Sequence, residues 1–165
     1  MKQLLFDHLT ENIENFSCAF TGHRNLNADF SLKELKIKIE GLIKEKKVNT
    51  FYCGMAMGFD LYAGEIVAKL KKKYPVRLIA CVPYYGQEKG YLEDYKKRYV
   101  KLLKACDEQV LLSEKYYRGC LLQRNRYMVD NSQFLICYLR EQMGGTFYTV
   151  KYFKKKYGEE NIIYL

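Results

Sequence analysis

The chain has 165 residues, 48% of them hydrophobic, and its 28 Lys plus Arg against 19 Asp plus Glu give a formal net charge of +9. That length is one domain's worth on a scale of roughly 100–200 residues per domain, and it can bury most of its unfolded surface without disulfides or a metal. Two prolines and eleven glycines exclude collagen-like and Pro/Gly-rich low-complexity sequence, and no repeat recurs at a solenoid period.

No apolar stretch approaches the roughly 18 residues of a membrane span. Leu4-Leu5-Phe6 before Asp7 is too short for a signal-peptide core. A soluble, cytoplasmic, single-domain protein over residues 1–165 is expected, with residues 1–15 as an N-terminal extension able to form a short helix.

In chain order, the first strand is expected at Phe16–Thr21. A helix follows whose apolar face is Leu32, Leu35, Ile39, Leu42 and Ile43, with Ser31 as N-cap and Glu34 placed as in a capping box. A second strand at Val48–Cys53 leads into a helix over Asp60–Lys72, ended by Tyr74-Pro75. The strand Val76–Val82 is nearly continuous in apolar character, as burial on both sheet faces requires. The third helix is expected over Lys89–Cys106, a fourth strand at Gln109–Ser113, and a fourth helix over Cys120–Asp130. Strand Phe134–Leu139, a helix over Thr146–Tyr157 closed by Gly158, and a weaker strand at Asn161–Tyr164 complete the chain.

This β-α alternation implies an α/β fold: a doubly wound, mostly parallel sheet with helices on both faces. Right-handed crossovers put every strand-to-helix loop at one edge, where such folds bind ligands. Cys18, Cys53, Cys81 and Cys137 fall in the expected strands, where free cysteine is a small hydrophobe. With no CxxC pair and only His8 and His23 as histidines, no metal is expected. The runs Lys71–Lys73, Lys96–Arg98 and Lys154–Lys156 read first as solvated helix faces or helix C-terminal cations.

The loop after strand one carries Thr21, Gly22, His23 and Arg24, which supply a close backbone approach, a hydroxyl, an imidazole and a guanidinium. With no carboxylate beside it, His23 suits packing or hydrogen bonding better than base catalysis. The second loop, Gly54-Met55-Ala56-Met57-Gly58-Phe59-Asp60, can turn backbone N–H groups toward an anion at a helix start. Asp60 there either caps the helix or takes a ligand hydroxyl or amine. The third loop offers Pro83 with Tyr84 and Tyr85 as an aromatic wall, and Tyr91, Tyr95 and Tyr99 follow at a spacing of four, which reads as core packing. The fourth region offers Arg124 and Asn125 near a helix start. In the fifth, Gly144-Gly145-Thr146 opens a helix and suits a phosphate or carboxylate.

Together, Phe20-Thr21-Gly22-His23-Arg24, Gly54–Asp60, Arg124–Asp130 and Gly144-Gly145-Thr146 resemble the YpsA-like family of the SLOG superfamily, related to DprA-type and LOG (lysine-decarboxylase-like) proteins. The resemblance runs from about Phe16 to the C-terminus. It implies a Rossmann-like domain binding a nucleotide or nucleotide-derived ligand at the glycine-containing loops, often as a sensor or carrier. The related LOG phosphoribohydrolases use a longer Pro-Gly-Gly-x-Gly-Thr motif followed by a glutamate. Here Met143-Gly144-Gly145-Thr146-Phe147-Tyr148-Thr149 lacks the proline, the third glycine and the acid. DprA relatives bind single-stranded DNA, but a shared fold alone does not carry that function across.

The expectation is therefore a cofactor-free binding module for a nucleotide-like small molecule, a sensor or sequestering protein with no membrane partner. The ligand set is Thr21, Gly22, His23, Arg24, Gly54, Met57, Gly58, Asp60, Pro83, Arg124, Asn125, Gly144, Gly145 and Thr146. The alternatives are a hydrolase, N-glycosidic in type, cleaving a nucleoside phosphate or NAD-related ligand with Asp60 or Asp130, and a single-stranded nucleic-acid binder using the lysine faces. Homo-oligomerisation is left open.

Overall fold

The computed structural model describes residues 16–165; the extension expected over 1–15 lies outside them. Six strands form one all-parallel sheet: β1 (Phe16–Gly22), β2 (Val48–Cys53), β3 (Arg77–Val82), β4 (Glu108–Leu111), β5 (Phe134–Tyr138) and β6 (Ile162–Tyr164), in the spatial order β4-β3-β2-β1-β5-β6. Five α-helices alternate with them: α1 (Leu32–Lys46), α2 (Phe59–Leu70), α3 (Glu93–Ala105), α4 (Cys120–Asp130) and α5 (Gly145–Tyr157).

The alternation of side chains along each strand separates two cores. Cys18, Phe20, Leu78, Ala80, Ile136 and Tyr138 pack on α1, α2 and α3, through residues such as Leu35, Ile39, Val67 and Leu102. Their neighbours Ala19, Ile79, Cys81, Leu135 and Cys137 face α4 and α5, meeting Met128, Val129, Val150 and Phe153. The fold is doubly wound, as expected. Strand order progresses one way from β1 to β4, then reverses to β5 and β6, so the switch point lies between β1 and β5, where their loops diverge and leave a crevice.

Local chemistry explains most boundaries. The Ser31 hydroxyl accepts the Glu34 N–H at 3.1 Å, fixing the start of α1. The expected third helix over Lys89–Cys106 is not continuous. A 3-10 turn spans Gln87–Gly90, Tyr91 is extended, and α3 begins only at Glu93. The Tyr91 hydroxyl donates to the Met55 carbonyl at 3.0 Å, which ties that residue to the β2 loop instead of a helical turn. The tyrosine stripe packs inward as expected: Tyr99 is buried, and Tyr91 and Tyr95 lie against the same core. All six cysteines are free, and the four strand cysteines are buried. Burial raises the thiols of Cys18, Cys53, Cys81 and Cys137 above their ordinary range, which makes them poor nucleophiles.

No described helix is long and apolar enough to cross a membrane. The connection from β1 to α1 is irregular but anchored to β5. The Tyr138 hydroxyl donates to Asp29 Oδ1 (2.8 Å) and accepts the Asn27 N–H (3.1 Å), while Arg140 Nε donates to Asp29 Oδ2 (2.9 Å).

Candidate functional site

A cleft of about 690 Å³ opens at the carboxyl edge over this switch point. Its walls come from four places in the sequence. The β1 end gives Thr21, Gly22, His23 and Arg24; the β2 loop and α2 give Ala56 and Asp60. The approach to α4 and its first turns add Tyr116, Gly119, Leu121, Leu122, Arg124 and Asn125. The β5 loop and α5 contribute Glu141, Met143, Gly144, Gly145, Thr146 and Tyr148.

Two helices point their N-termini into this space, and neither has a side-chain cap. The N-cap of α4 is Gly119 at φ +95°, and that of α5 is Gly144 at φ +90°. The N-terminal N–H groups of a helix have no partner within it, and here no N-cap side chain accepts from them. Apart from the Cys120 N–H of α4, which donates to the Tyr117 carbonyl at 3.1 Å, they remain available to an anion, favoured by the helix dipole. Gly144 has open space around the position of an added Cβ, so its left-handed backbone, not crowding, accounts for glycine there.

The floor sets two charged side chains near each other, without an ion pair within 4.0 Å among the described residues. Arg124 and Asp60 are each only 5% exposed. Arg124 Nη1 donates to the Gly54 carbonyl, and its Nε donates to Asn125 Oδ1 at 2.8 Å. The Ala56 N–H approaches Asp60 Oδ2 at 3.4 Å, at the long end of hydrogen bonding. Burial pushes the Asp60 carboxyl up to about 6, against the opposing pull of Arg124, that N–H and Arg24. A Cβ on Gly54 would lie 2.8 Å from both the Arg124 guanidinium and Asp60 Oδ2. Glycine at the end of β2 thus lets the pair lie against the backbone. Arg24, exposed at the rim, makes no ion pair within 4.0 Å among the described residues.

Of the residues singled out from sequence, Thr21, Gly22, His23, Arg24, Asp60, Arg124, Asn125, Gly144, Gly145 and Thr146 come together on this cleft. Gly54, Met57, Gly58 and Pro83 do not line it. Gly54 and Gly58 shape it from behind: a Cβ on Gly58 would fall 2.2 Å from the Arg24 carbonyl oxygen. Pro83 is buried, and Met57 is half-buried. Asp130 lies at the far end of α4, accepting from the Tyr152 hydroxyl (2.7 Å) and ion-paired with Lys156 (2.5 Å). His23 Nε2 accepts the Arg140 backbone N–H at 2.9 Å, so the ring bridges the β1 and β5 loops instead of presenting that nitrogen to the cleft as a base. Gly119 and Tyr148 were passed over. The signal for Gly119 was a glycine directly before a helix, the same placement that drew attention to Gly144.

The YspA SLOG family model matches residues 18–164. Among curated proteins, the chain is 29% identical over 142 residues to UPF0398 protein BH1768 of Halalkalibacterium halodurans, covering 84% of this chain and 75% of that protein. It is 30% identical over 132 residues to the uncharacterized SPbeta prophage-derived protein YoqJ of Bacillus subtilis, covering 72% and 77%. Among solved structures, the DNA processing protein A of Helicobacter pylori, whose description concerns its single-stranded DNA binding mode, superposes with a TM-score of 0.66. That likeness has 20% identity over 94% of this chain and 67% of that one. The Streptococcus pneumoniae DprA gives a TM-score of 0.62 at 18% identity, and this chain, 92% covered, spans 50% of it. At those identities the structural likeness is one of fold.

Proposed function

Starting from the fact that this chain belongs to the YspA SLOG family, we infer that it is a binding module for a nucleotide or nucleotide-derived ligand held in the cleft between the β1 and β5 loops. The observation that carries this reading is convergence: the side-chain-uncapped starts of α4 and α5 and the rim guanidinium of Arg24 meet on one cleft. Phosphate oxygens would accept from the N–H groups opening α5, with Arg24 adding a charge-assisted hydrogen bond. Tyr116, Leu121, Leu122 and Met143 offer the apolar surface a base requires. Asp60, at the floor, suits a donor such as a ribose hydroxyl or an amine.

The test is native mass spectrometry of the freshly purified chain, followed by a thermal-shift screen of mononucleotides, dinucleotides and the matching nucleosides. Phosphorylated ligands are expected to raise the melting temperature by mass action, and nucleosides to do so less. No shift at millimolar concentration across the set refutes the reading.

One observation favours a second reading, hydrolysis. Asp60 is a buried carboxyl held near neutrality inside the cleft, the setting in which carboxylates serve as acids or bases. Asp130, bound to Lys156 and Tyr152 outside the cleft, has no part in it. Chromatography of ligand incubated with the protein and with Asp60→Asn separates turnover from binding alone. The nucleic-acid reading is weaker, because Tyr91, Tyr95 and Tyr99, the regularly spaced tyrosines, pack against the core instead of offering bases a platform. Oligonucleotide binding is expected to be weak and to vanish at physiological salt.

A further inference from the structure

A second concavity lies between α1 and α2, with a volume of about 680 Å³. Its floor is apolar, made by Leu32, Tyr62, Ile66 and Leu70. Leu32 is 48% exposed, a large aliphatic side chain left in water at a helix start. The walls are two cationic rails: Lys33 and Lys36 on α1, and Lys69 and Lys73 along and just beyond α2.

The acidic groups nearby do not cancel these rails. Glu65, which also lines the groove, is held by Arg98, whose Nε reaches both carboxylate oxygens at 3.2 Å while its guanidinium stacks on Tyr62 at 4.3 Å. Glu40 lies within 3.7 Å of Lys36 and 3.8 Å of Lys73, and it is shared further with Lys44 and the Tyr74 hydroxyl. Lys33 and Lys69 have no carboxylate within ion-pair distance among the described residues. The groove therefore carries net positive charge on both sides of an apolar strip.

From this charge complementarity we propose that the groove docks an acidic amphipathic helix of a partner protein. Lys33 and Lys36 are three residues apart, and Lys69 and Lys73 four, so each rail repeats at about one helical turn. A helix with aliphatic residues on one face and Glu or Asp flanking them at i, i+3 and i+4 lays its apolar side on Leu32 and Ile66 and its carboxylates along the lysines. Rim charges of this kind speed encounter and exclude basic partners more than they add affinity. The apolar floor supplies the hold.

The test uses the full chain and a fluorescein-labelled helical peptide of about four turns with a Leu/Ile face flanked by Glu, read by anisotropy. Matched peptides carry Gln or Lys in place of Glu. The Glu peptide is expected to bind, the Gln peptide to bind at least about ten-fold more weakly, and the Lys peptide not at all. The double variant Lys33→Glu with Lys69→Glu inverts that preference, and Leu32→Ser weakens the Glu peptide, while Arg24→Ala in the nucleotide cleft changes nothing. All four substituted residues are exposed, and circular dichroism checks that each variant is folded. Equal binding of Glu and Gln peptides, indifference to charge reversal, or no binding at millimolar peptide overturns the proposal. Concentration-dependent self-association abolished by Leu32→Ser also overturns it, in favour of a second copy of this chain as the occupant.

Discussion

Alanine at three glycines should move stability by three different amounts, because each glycine is there for a different reason. Gly58 has φ +83°, and a Cβ there would lie 2.2 Å from the Arg24 carbonyl oxygen. The left-handed backbone costs an L-residue about 1 kcal/mol, and overpacking against a backbone atom adds about 1–3 kcal/mol. The loop cannot move freely to relieve it, since the Phe59 N–H donates to the His23 carbonyl beside the contact, at 3.2 Å. Gly144 has φ +90° and nothing within 4 Å of the added carbon, so only the backbone penalty of about 1 kcal/mol applies. Gly41, inside α1, is equally uncrowded, and alanine there should stabilise by about 0.5–1 kcal/mol. At about 2–4 °C per kcal/mol for a chain of this size, Gly58→Ala should lower the melting temperature by about 4–16 °C and Gly144→Ala by about 3 °C. Gly41→Ala should raise it by about 2 °C. Calorimetry on the three variants decides. A Gly58→Ala chain no less stable than Gly144→Ala would mean that the two loops do not pack as described.

Arg124→Met should destabilise the fold by about 1–3 kcal/mol in chemical denaturation, because it removes the buried guanidinium's bonds to the Gly54 carbonyl and Asn125 and its attraction for Asp60. Arg124→Lys should recover little of this, since an ammonium cannot serve the Gly54 carbonyl and Asn125 in one planar fork. The raised Asp60 carboxyl means that the folded state holds this proton more tightly than the unfolded state. Its contribution is present at low pH and lost as pH rises through about 6. This group should therefore make melting temperatures fall from about pH 4 to about pH 6 and leave them level above that, and Asp60→Asn should remove that component; an unchanged slope assigns it to another group. Thr146→Val should weaken nucleotide binding while holding the melting temperature within a few degrees. Gly145→Asp, where an added Cβ meets only Asn125 Nδ2 at 3.8 Å, should fold and lose the anion by about ten-fold or more. Unchanged affinity in both variants, measured by calorimetric titration, would place the ligand elsewhere.

The central strands were readable because each is a short apolar run facing two cores at once, and period-two alternation is local information; β4, mostly exposed, carried a weaker signal. Ser31 was equally legible, since a cap and its N–H lie three residues apart. The third helix misled because Tyr91, Tyr95 and Tyr99 keep a helical spacing straight through its break. What removes Tyr91 from the helix is a bond to Met55, remote in sequence. The same distance effect hid the roles of two glycines. Gly54 and Gly58 look like phosphate-loop residues, yet what requires them is the Arg124 guanidinium in one case and the Arg24 carbonyl in the other. Arg124 itself read as a cleft residue near a helix start, with nothing to show that it would be buried. Its burial follows from the cleft floor, which exists only once β2 and α4 are brought together. Asp130 carried the right chemistry on the right helix but at the wrong end, and its place about two turns past Arg124 could have shown this.

The sheet ends in two stubs. β4 has four residues and β6 three, against seven in β1 at the centre. A parallel sheet's outer strands leave a row of amide and carbonyl groups open to another molecule's backbone, the usual template for edge-to-edge aggregation. Here those rows are too short to seed a ladder, and β4 begins with Glu108, its carboxylate paired with Arg77 of the neighbouring strand. Among the described residues, strand extension is therefore the poorer route to self-association, and complementary side chains on the helical faces the better one.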